Sequence, residues 1–162
     1  MIRVALGQDS HRFEDCINKP LILGGCLIEG ERGLKANSDG DVLLHAITNA
    51  ISGLTGRNIL GSVADEMCRA GIRDSAAYLA EAQKDLAAMG GTIIHLSLSI
   101  EAKRPYFAPL IPHIRESLAA LLRIDMSRIG LTATSGEGLT AFGRGEGIQV
   151  LCIITADLSG EA

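Results

Sequence analysis

The sequence predicts an α/β protein: a single domain over residues 1–162, built as a two-layer sandwich with a mixed four-stranded sheet, a small hairpin and about three main helices. Two periodicities carry this reading. Four segments alternate apolar with polar or small residues, as strands with one buried face do; three others place apolar residues three and four apart, as helices do. Length supplies the rest, since 162 residues can bury one substantial core and no internal repeat, low-complexity stretch or interdomain linker divides them. With 47% apolar but only 3% aromatic residues, and no Trp, aliphatic side chains must fill that core.

Ile2, Val4 and Leu6 alternate with Arg3, Ala5 and Gly7 and predict a half-buried first strand. Pro20 to Glu29 reads as a short hairpin turning at Gly24-Gly25. Ser38 or Asp39 can cap a helix whose inner stripe is Leu43, Ile47, Ala50 and Leu54, and Gly53 and Gly56 bring it to an end. A second helix opens at Asp74-Ser75 and runs to Met89, with Leu79, Ala82, Leu86 and Met89 inward and Glu81, Lys84 and Asp85 solvated; Gly90-Gly91 stops it. Residues 92–101 form a strand with Ile94, Leu96, Leu98 and Ile100 on one face. Pro109 marks the first turn of a third helix, whose Ile111, Ile114, Leu118, Leu121 and Leu122 turn inward. Residues 129–133 and 148–156 are the last two strands.

Several functional classes fall away at this level. The net charge is −4, with no basic run and no interleaving of aromatic and basic residues, which argues against a nucleic-acid partner. No apolar stretch reaches the roughly 20 residues of a membrane span, and the N-terminus runs into a strand pattern rather than a signal peptide. Cys16, Cys26, Cys68 and Cys152 are scattered without C-x-x-C spacing; they read as inert small hydrophobes in a reduced, cytoplasmic protein.

Three features carry chemistry. Asp9 and His11 lie two apart at the end of the first strand and so project to one side, where His45 from the first long helix can join them. One carboxylate and two imidazoles suit zinc or a similar divalent transition metal, with a position left open for a reactant. The run Thr132-Ala133-Thr134-Ser135-Gly136-Glu137-Gly138 leaves a strand as hydroxyls, glycines and one carboxylate, groups that hold phosphate oxygens and magnesium, although such turns are mostly just turns. Gly143-Arg144-Gly145-Glu146-Gly147 is either a turn or bulge, or a close backbone approach that offers Arg144 to an anion. His95 and His113 have no partner pattern and read as structural or exposed.

Together these motifs resemble the 2-C-methyl-D-erythritol 2,4-cyclodiphosphate synthase family of the non-mevalonate isoprenoid pathway. The resemblance runs in order through Gly7-x-Asp9-x-His11-Arg12-Phe13, Leu23-Gly24-Gly25, Ser38-Asp39-Gly40-Asp41-x-x-x-His45-Ala46, Arg104-Pro105-x-x-x-Pro109, Thr132-Ala133-Thr134 with Glu137, and Gly143-Arg144-Gly145-Glu146-Gly147-Ile148. It implies a metal-dependent cyclising lyase. In such an enzyme the 2-phosphate of 4-diphosphocytidyl-2-C-methyl-D-erythritol 2-phosphate attacks the β-phosphorus and CMP leaves. Zinc would sit on Asp9, His11 and His45, and Glu137 would hold magnesium or manganese against the diphosphate. Asn37 and Ser135 take the positions tied to catalysis. Substrate contacts map onto Asp9, His11, Asn37, Ser38, Ile59, Leu60 and Gly61 on the methylerythritol side. On the cytidine side they map onto Ala102, Tyr106, Phe107, Ala108, Ala133, Thr134, Ser135, Gly136 and Glu137. The resemblance further implies a homotrimer with sites between subunits, and an isoprenoid diphosphate held by Arg144 at the trimer axis; the plainer alternative pairs Arg144 with Glu146.

This chain also departs from the family pattern. Asn37 replaces the usual His, Asn49 an Asp, Ile59-Leu60-Gly61 the usual Asp-Ile-Gly, Tyr106 a Lys and Ala141 a Phe, while Ala64-Asp65-Glu66-Met67-Cys68 stands in the region of Phe-Pro-Asp-Thr-Asp. The metal triad, Glu137 and the cytidine turn are kept, so the expectation is a divergent but active branch. A metal-dependent phosphohydrolase would share the site but needs a general base that the sequence does not offer, and a non-catalytic phosphometabolite sensor would have little use for a complete triad.

Overall fold

Ile148, Val150, Cys152, Ile154 and Ala156 are all buried while Leu151 and Ile153 between them are not, so β6 (Gly147–Asp157) has one face in the core and one face out. It is the strand on which the sheet is assembled. β1 (Ile2–Arg12) and β4 (Thr92–Glu101) pair antiparallel on either side of it, and β5 (Ile129–Thr134) lies parallel to β4 at the far edge, giving the order β1-β6-β4-β5. β2 (Pro20–Leu23) and β3 (Cys26–Arg32) form a separate two-stranded hairpin. Helices α1 (Val42–Thr55), α2 (Ser62–Arg69), α3 (Ser75–Ala88) and α4 (Ile111–Leu122) complete a mixed α/β fold. This computed structural model describes residues 1–159, so residues 160–162 of the expected domain span lie outside the described residues.

α1 lies across β1 and β6, with α3 beside it and α4 against β5. The contact with β1 is unusually close: a Cβ on Gly7 would fall 2.1 Å from the carbonyl oxygen of Ala46 and 2.4 Å from the amide nitrogen of Ala50. Only glycine lets the helix backbone settle there. That closeness decides which face of β1 is inside. Its core-facing residues are the small Ala5 and Gly7, whereas Ile2, Val4 and Leu6 are 58%, 63% and 62% exposed on the opposite face. The alternation was legible, but the larger side chains do not pack inward within this chain.

Asp41, not Ser38 or Asp39, caps α1, accepting from the Leu44 N–H at 3.1 Å. The same fully buried carboxylate accepts from Gly24 N at 2.9 Å and Gly25 N at 2.7 Å, tying the β2–β3 turn to the start of the helix. Gly56 ends α1 in the left-handed conformation and Gly53 remains inside it. Other expectations shift by a turn or a residue. Pro109 sits in the turn before α4, and Pro112 occupies that helix's first turn. A register shift between Ile93 and His95 buries Ile93 and leaves Ile94 exposed. Met89, Ile111 and Leu121 are half-buried. The fourth helix, α2, was not anticipated; its eight residues bury only Ala64, so it carries little periodic signal.

Burial pushes the Asp41 carboxyl up to about 6, against the pull of the three N–H groups that favour its ionised form. Its folded pKa therefore exceeds the unfolded value. As pH rises from about 4 to about 6 the unfolded chain loses this proton first, and stability falls across that window. Urea denaturation of wild type and Asp41→Asn at pH 4, 5, 6 and 7 should show a difference that narrows with rising pH; a difference independent of pH would refute this assignment.

Candidate active site

Asp9 and His11 follow Ala5 and Gly7 at two-residue spacing, so the end of β1 turns both toward the helix layer. The close crossing at Gly7 brings His45, one turn into α1, over the same spot. Asp9 Oδ2 lies 2.8 Å from His11 Nε2 and 3.0 Å from His45 Nδ1, and the two ring nitrogens are 3.2 Å apart. Metal bonds of about 2.0–2.1 Å at tetrahedral angles separate ligand atoms by roughly 3.3 Å, so this triangle needs to open only slightly to receive a metal. The three residues form a potential metal-binding triad. Burial alone would raise the Asp9 carboxyl, but hydrogen bonds and charge interactions with His11 and His45 outweigh it and hold the group at about 2. It is a ready anionic ligand at any physiological pH.

The far side of His45 is fixed by residues that sequence reasoning did not identify. Its Nε2 lies 2.8 Å from Ser75 Oγ, the first residue of α3, and Ser75 Oγ donates in turn to the Asp39 carboxylate. Because Asp39 can only accept, the hydroxyl proton points to it and the Ser75 oxygen accepts from His45 Nε2–H. With Nε2–H committed to Ser75, Nδ1 is the nitrogen that faces Asp9 and His11, and its lone pair would serve a metal that displaced the proton shared with Asp9. Asp39 also accepts from the amides of Ser75 at 3.1 Å and Asp41 at 3.0 Å. No spacing rule links residues 39, 45 and 75; only the packing of α3 beside α1 does.

A cleft of about 380 Å³ opens over the triad. Asn37, Ser38, Leu60 and Gly61, all named as candidate contacts, line it together with Asp65, Cys68 and Tyr78, which the sequence does not single out. Ile59 does not line it: the residue is fully buried and its N–H donates to Ser52 Oγ. Asn49 Nδ2 donates to the Gln8 carbonyl at 3.0 Å.

The cytidine-side residues gather elsewhere, and none of them lines this cleft. Ala102 N donates to Thr134 O at 3.0 Å, joining the ends of β4 and β5. Beyond β5, Thr134 Oγ1 accepts from Gly136 N and Ser135 Oγ from Glu137 N. Gly136, Glu137 and Gly138 all have positive φ, at 65°, 52° and 74°. A non-glycine residue held there stores backbone strain, and it presents an exposed carboxylate at the tip of the turn. Ala133, Tyr106 and Ala108 are exposed, and Phe107 is buried. Arg144 Nε reaches Glu146 Oε1 at 3.3 Å, and Arg12 takes the other oxygen at 3.4 Å, so the plainer alternative for Arg144 is present within the chain. His95 and His113 are exposed, and all four cysteines are free.

Residues 2–157 match the model of the YgbB family. The chain belongs to that family. Among curated relatives, the 2-C-methyl-D-erythritol 2,4-cyclodiphosphate synthase of Chlamydia abortus is 50% identical over 155 residues, covering 94% of this chain and 88% of the relative. A solved cyclodiphosphate synthase of the same name in its CDP-bound form superposes with a TM-score of 0.84 at 34% identity, over 96% of this chain and all of that one. A bifunctional protein from Campylobacter jejuni superposes at 0.87 with 32% identity; the match covers 96% of this chain but only 42% of that longer one.

In this YgbB-family chain the Ser75 hydroxyl is the support most easily removed without disturbing the triad itself. Ser75→Ala should lower divalent-metal affinity roughly 10–100-fold, while Ser75→Thr retains most of it. Competition with a chromophoric chelator measures this. Equal affinities in wild type and Ser75→Ala would mean that the Asp39–Ser75–His45 relay does not orient the ligand.

Proposed function

We propose that the chain converts 4-diphosphocytidyl-2-C-methyl-D-erythritol 2-phosphate to 2-C-methyl-D-erythritol 2,4-cyclodiphosphate with release of CMP, as a metal-dependent lyase. The observation that carries this is the ligand triangle at the end of β1 beneath an open cleft, in a chain half identical to synthases of that name. An oxygen of the 2-phosphate forms the new bond to the β-phosphorus, the bond from that phosphorus to the bridging oxygen breaks, and CMP departs with the electron pair. Little proton transfer is needed, so catalysis is positioning and charge neutralisation. Zinc on Asp9, His11 and His45, and magnesium or manganese held by Glu137, would supply the positive charge that polarises the diphosphate. Asn37 and Ser38 donate to phosphate oxygens from the rim of the cleft, Leu60 and Gly61 bound the methylerythritol, and Ser135 lies beside the reacting diphosphate. Ala102, Tyr106, Phe107, Ala108, Ala133, Thr134 and Gly136 hold cytidine.

Within one chain the triad cleft and the cytidine-side residues are separate. The exposed apolar face formed by Ile2, Val4, Leu6, Leu151 and Ile153 needs a cover. Both features support a homotrimer in which the triad of one subunit meets the cytidine turn of the next. We further assign Arg144 to an anion at the trimer axis, of the isoprenoid diphosphate class, in competition with Glu146. A cytoplasmic location fits the free cysteines and the lack, among the described residues, of any helix long and apolar enough to cross a membrane.

Purified protein should carry one zinc per subunit and release CMP together with the cyclic diphosphate. CMP with an open-chain phosphate would indicate a phosphohydrolase, and no turnover a sensor. His45→Ala should lose zinc and activity but not the fold. Mixing it with Glu137→Ala subunits should restore part of the activity, because mixed trimers contain intact composite sites; no rescue after verified subunit exchange would sink the shared-site arrangement. For Arg144, an isoprenyl diphosphate should raise the melting temperature of wild type and not of Arg144→Ala, and absence of any shift in wild type rejects that ligand.

A further inference from the structure

Residues 36–38 form a wall between two openings. The triad cleft of about 380 Å³ lies on one side; on the other is a broader cleft of about 680 Å³ bordered by Glu14, Lys19, Pro20, Arg73 and Asp74. Ala36, Asn37 and Ser38 line both. A segment with open space on two faces gains little restraint from packing, so directional bonds must fix its backbone. Three successive carbonyls of this wall are held by side chains from distant parts of the chain. Lys19 Nζ donates to Ala36 O at 2.9 Å and to Ser38 O at 2.8 Å, and Cys68 Sγ donates to Asn37 O at 3.5 Å. The Lys19 bonds are the short, charge-assisted pair and straddle Asn37.

We propose that Lys19 is a positioning residue: its ammonium clamps the backbone on both sides of Asn37 and so holds that amide at the rim of the metal cleft. Lys19 is half-buried and forms no ion pair among the described residues, so its directional partners are these carbonyls. Burial pushes the ammonium group's pKa down; Arg73 adds to that, and Glu14 and Asp39 oppose it. The Ser38 hydroxyl, on the same wall, lies 3.4 Å from His45 Nε2, so displacement of the wall is felt at the triad's support as well. The inference rests on the reading of Asn37 as a donor to the reacting phosphate. Small errors in the placement of such a donor are expensive in rate.

The test is a double-mutant cycle on CMP release together with hydrogen exchange. Lys19→Met keeps the aliphatic stem and removes every donor; it should lower kcat roughly tenfold with little change in KM, as Asn37→Ala should alone. In the Asn37→Ala background the same substitution should cost less than about twofold, because the clamp acts through Asn37. Lys19→Arg should recover most of the rate. Exchange of the hydrogen-bonded amides that flank the wall, Lys35 (to Arg12 O) and Asp39 (to Arg73 O), should quicken in Lys19→Met while α1 stays protected. An unchanged kcat, or an equal loss in both backgrounds, overturns the proposal. If Lys19→Met does not fold, Lys19→Gln replaces it, and wild-type kcat in that variant is equally fatal. Should wild type itself make no cyclic product, the functional reading fails, and the exchange measurement alone decides whether the clamp exists.

Discussion

The distance between α1 and β1 sets everything the site can do. Layers packed through ordinary side chains stand about 10 Å apart, with no backbone contact between them. Gly7 removes that spacing at one point, letting the carbonyl of Ala46 and the amide of Ala50 rest on the strand backbone. His45 then lies within 3.0 Å of Asp9. Asp41 supplies the second anchor, because its carboxylate binds the start of α1 and the β2–β3 turn at once and so stops the helix sliding along the strand. One contact fixes depth and the other fixes register. Neither touches a substrate.

Behind that pair of anchors runs a polar relay with no slack. Asp39 holds Ser75, Ser75 holds His45, and His45 faces Asp9 and His11, so the start of α3 is coupled to the end of β1 through four side chains. Among the described residues no buried side-chain nitrogen or oxygen lacks a partner. A half-satisfied network in this position would cost stability and let the imidazole turn. The cleft wall at 36–38 contrasts with it: His45 and Ser75 at the centre of the relay are buried, while the wall is suspended from Lys19 and Cys68.

How much of this the sequence discloses follows from the range of each interaction. Asp9 and His11 sit on a two-residue period and His45 on an amphipathic helix, so local pattern suffices to nominate them. Ser75 and Asp39 act on His45 across 30 and 6 residues with no periodic relation, and only tertiary packing joins them. Asp41 rather than Ser38 or Asp39 became the cap because its carboxylate also satisfies two amides of the hairpin, a demand invisible in the helix's own sequence. α2 escaped notice because eight mostly polar residues bury a single alanine. β1 is legible as a half-buried strand, but its periodicity reports that the faces differ and not which one the rest of the chain covers.

A sheet with helices on one side has two apolar faces to dispose of, and this chain covers one. On the uncovered face Leu6 pairs across from Ile153 and Gln8 from Leu151, so the exposed aliphatics adjoin one another rather than lying scattered. The same face continues onto β4 and β5 as Ser97, Ser99, Gly130 and Thr132, small residues that permit a close neighbour. Burying such a patch favours association by the ordinary hydrophobic term. The small hydroxylated strands would then serve assembly and the aliphatic ones its stability. A sequence so poor in aromatics can still form a specific assembly on these terms, because shape and register on a flat sheet, rather than large anchoring side chains, would define the contact.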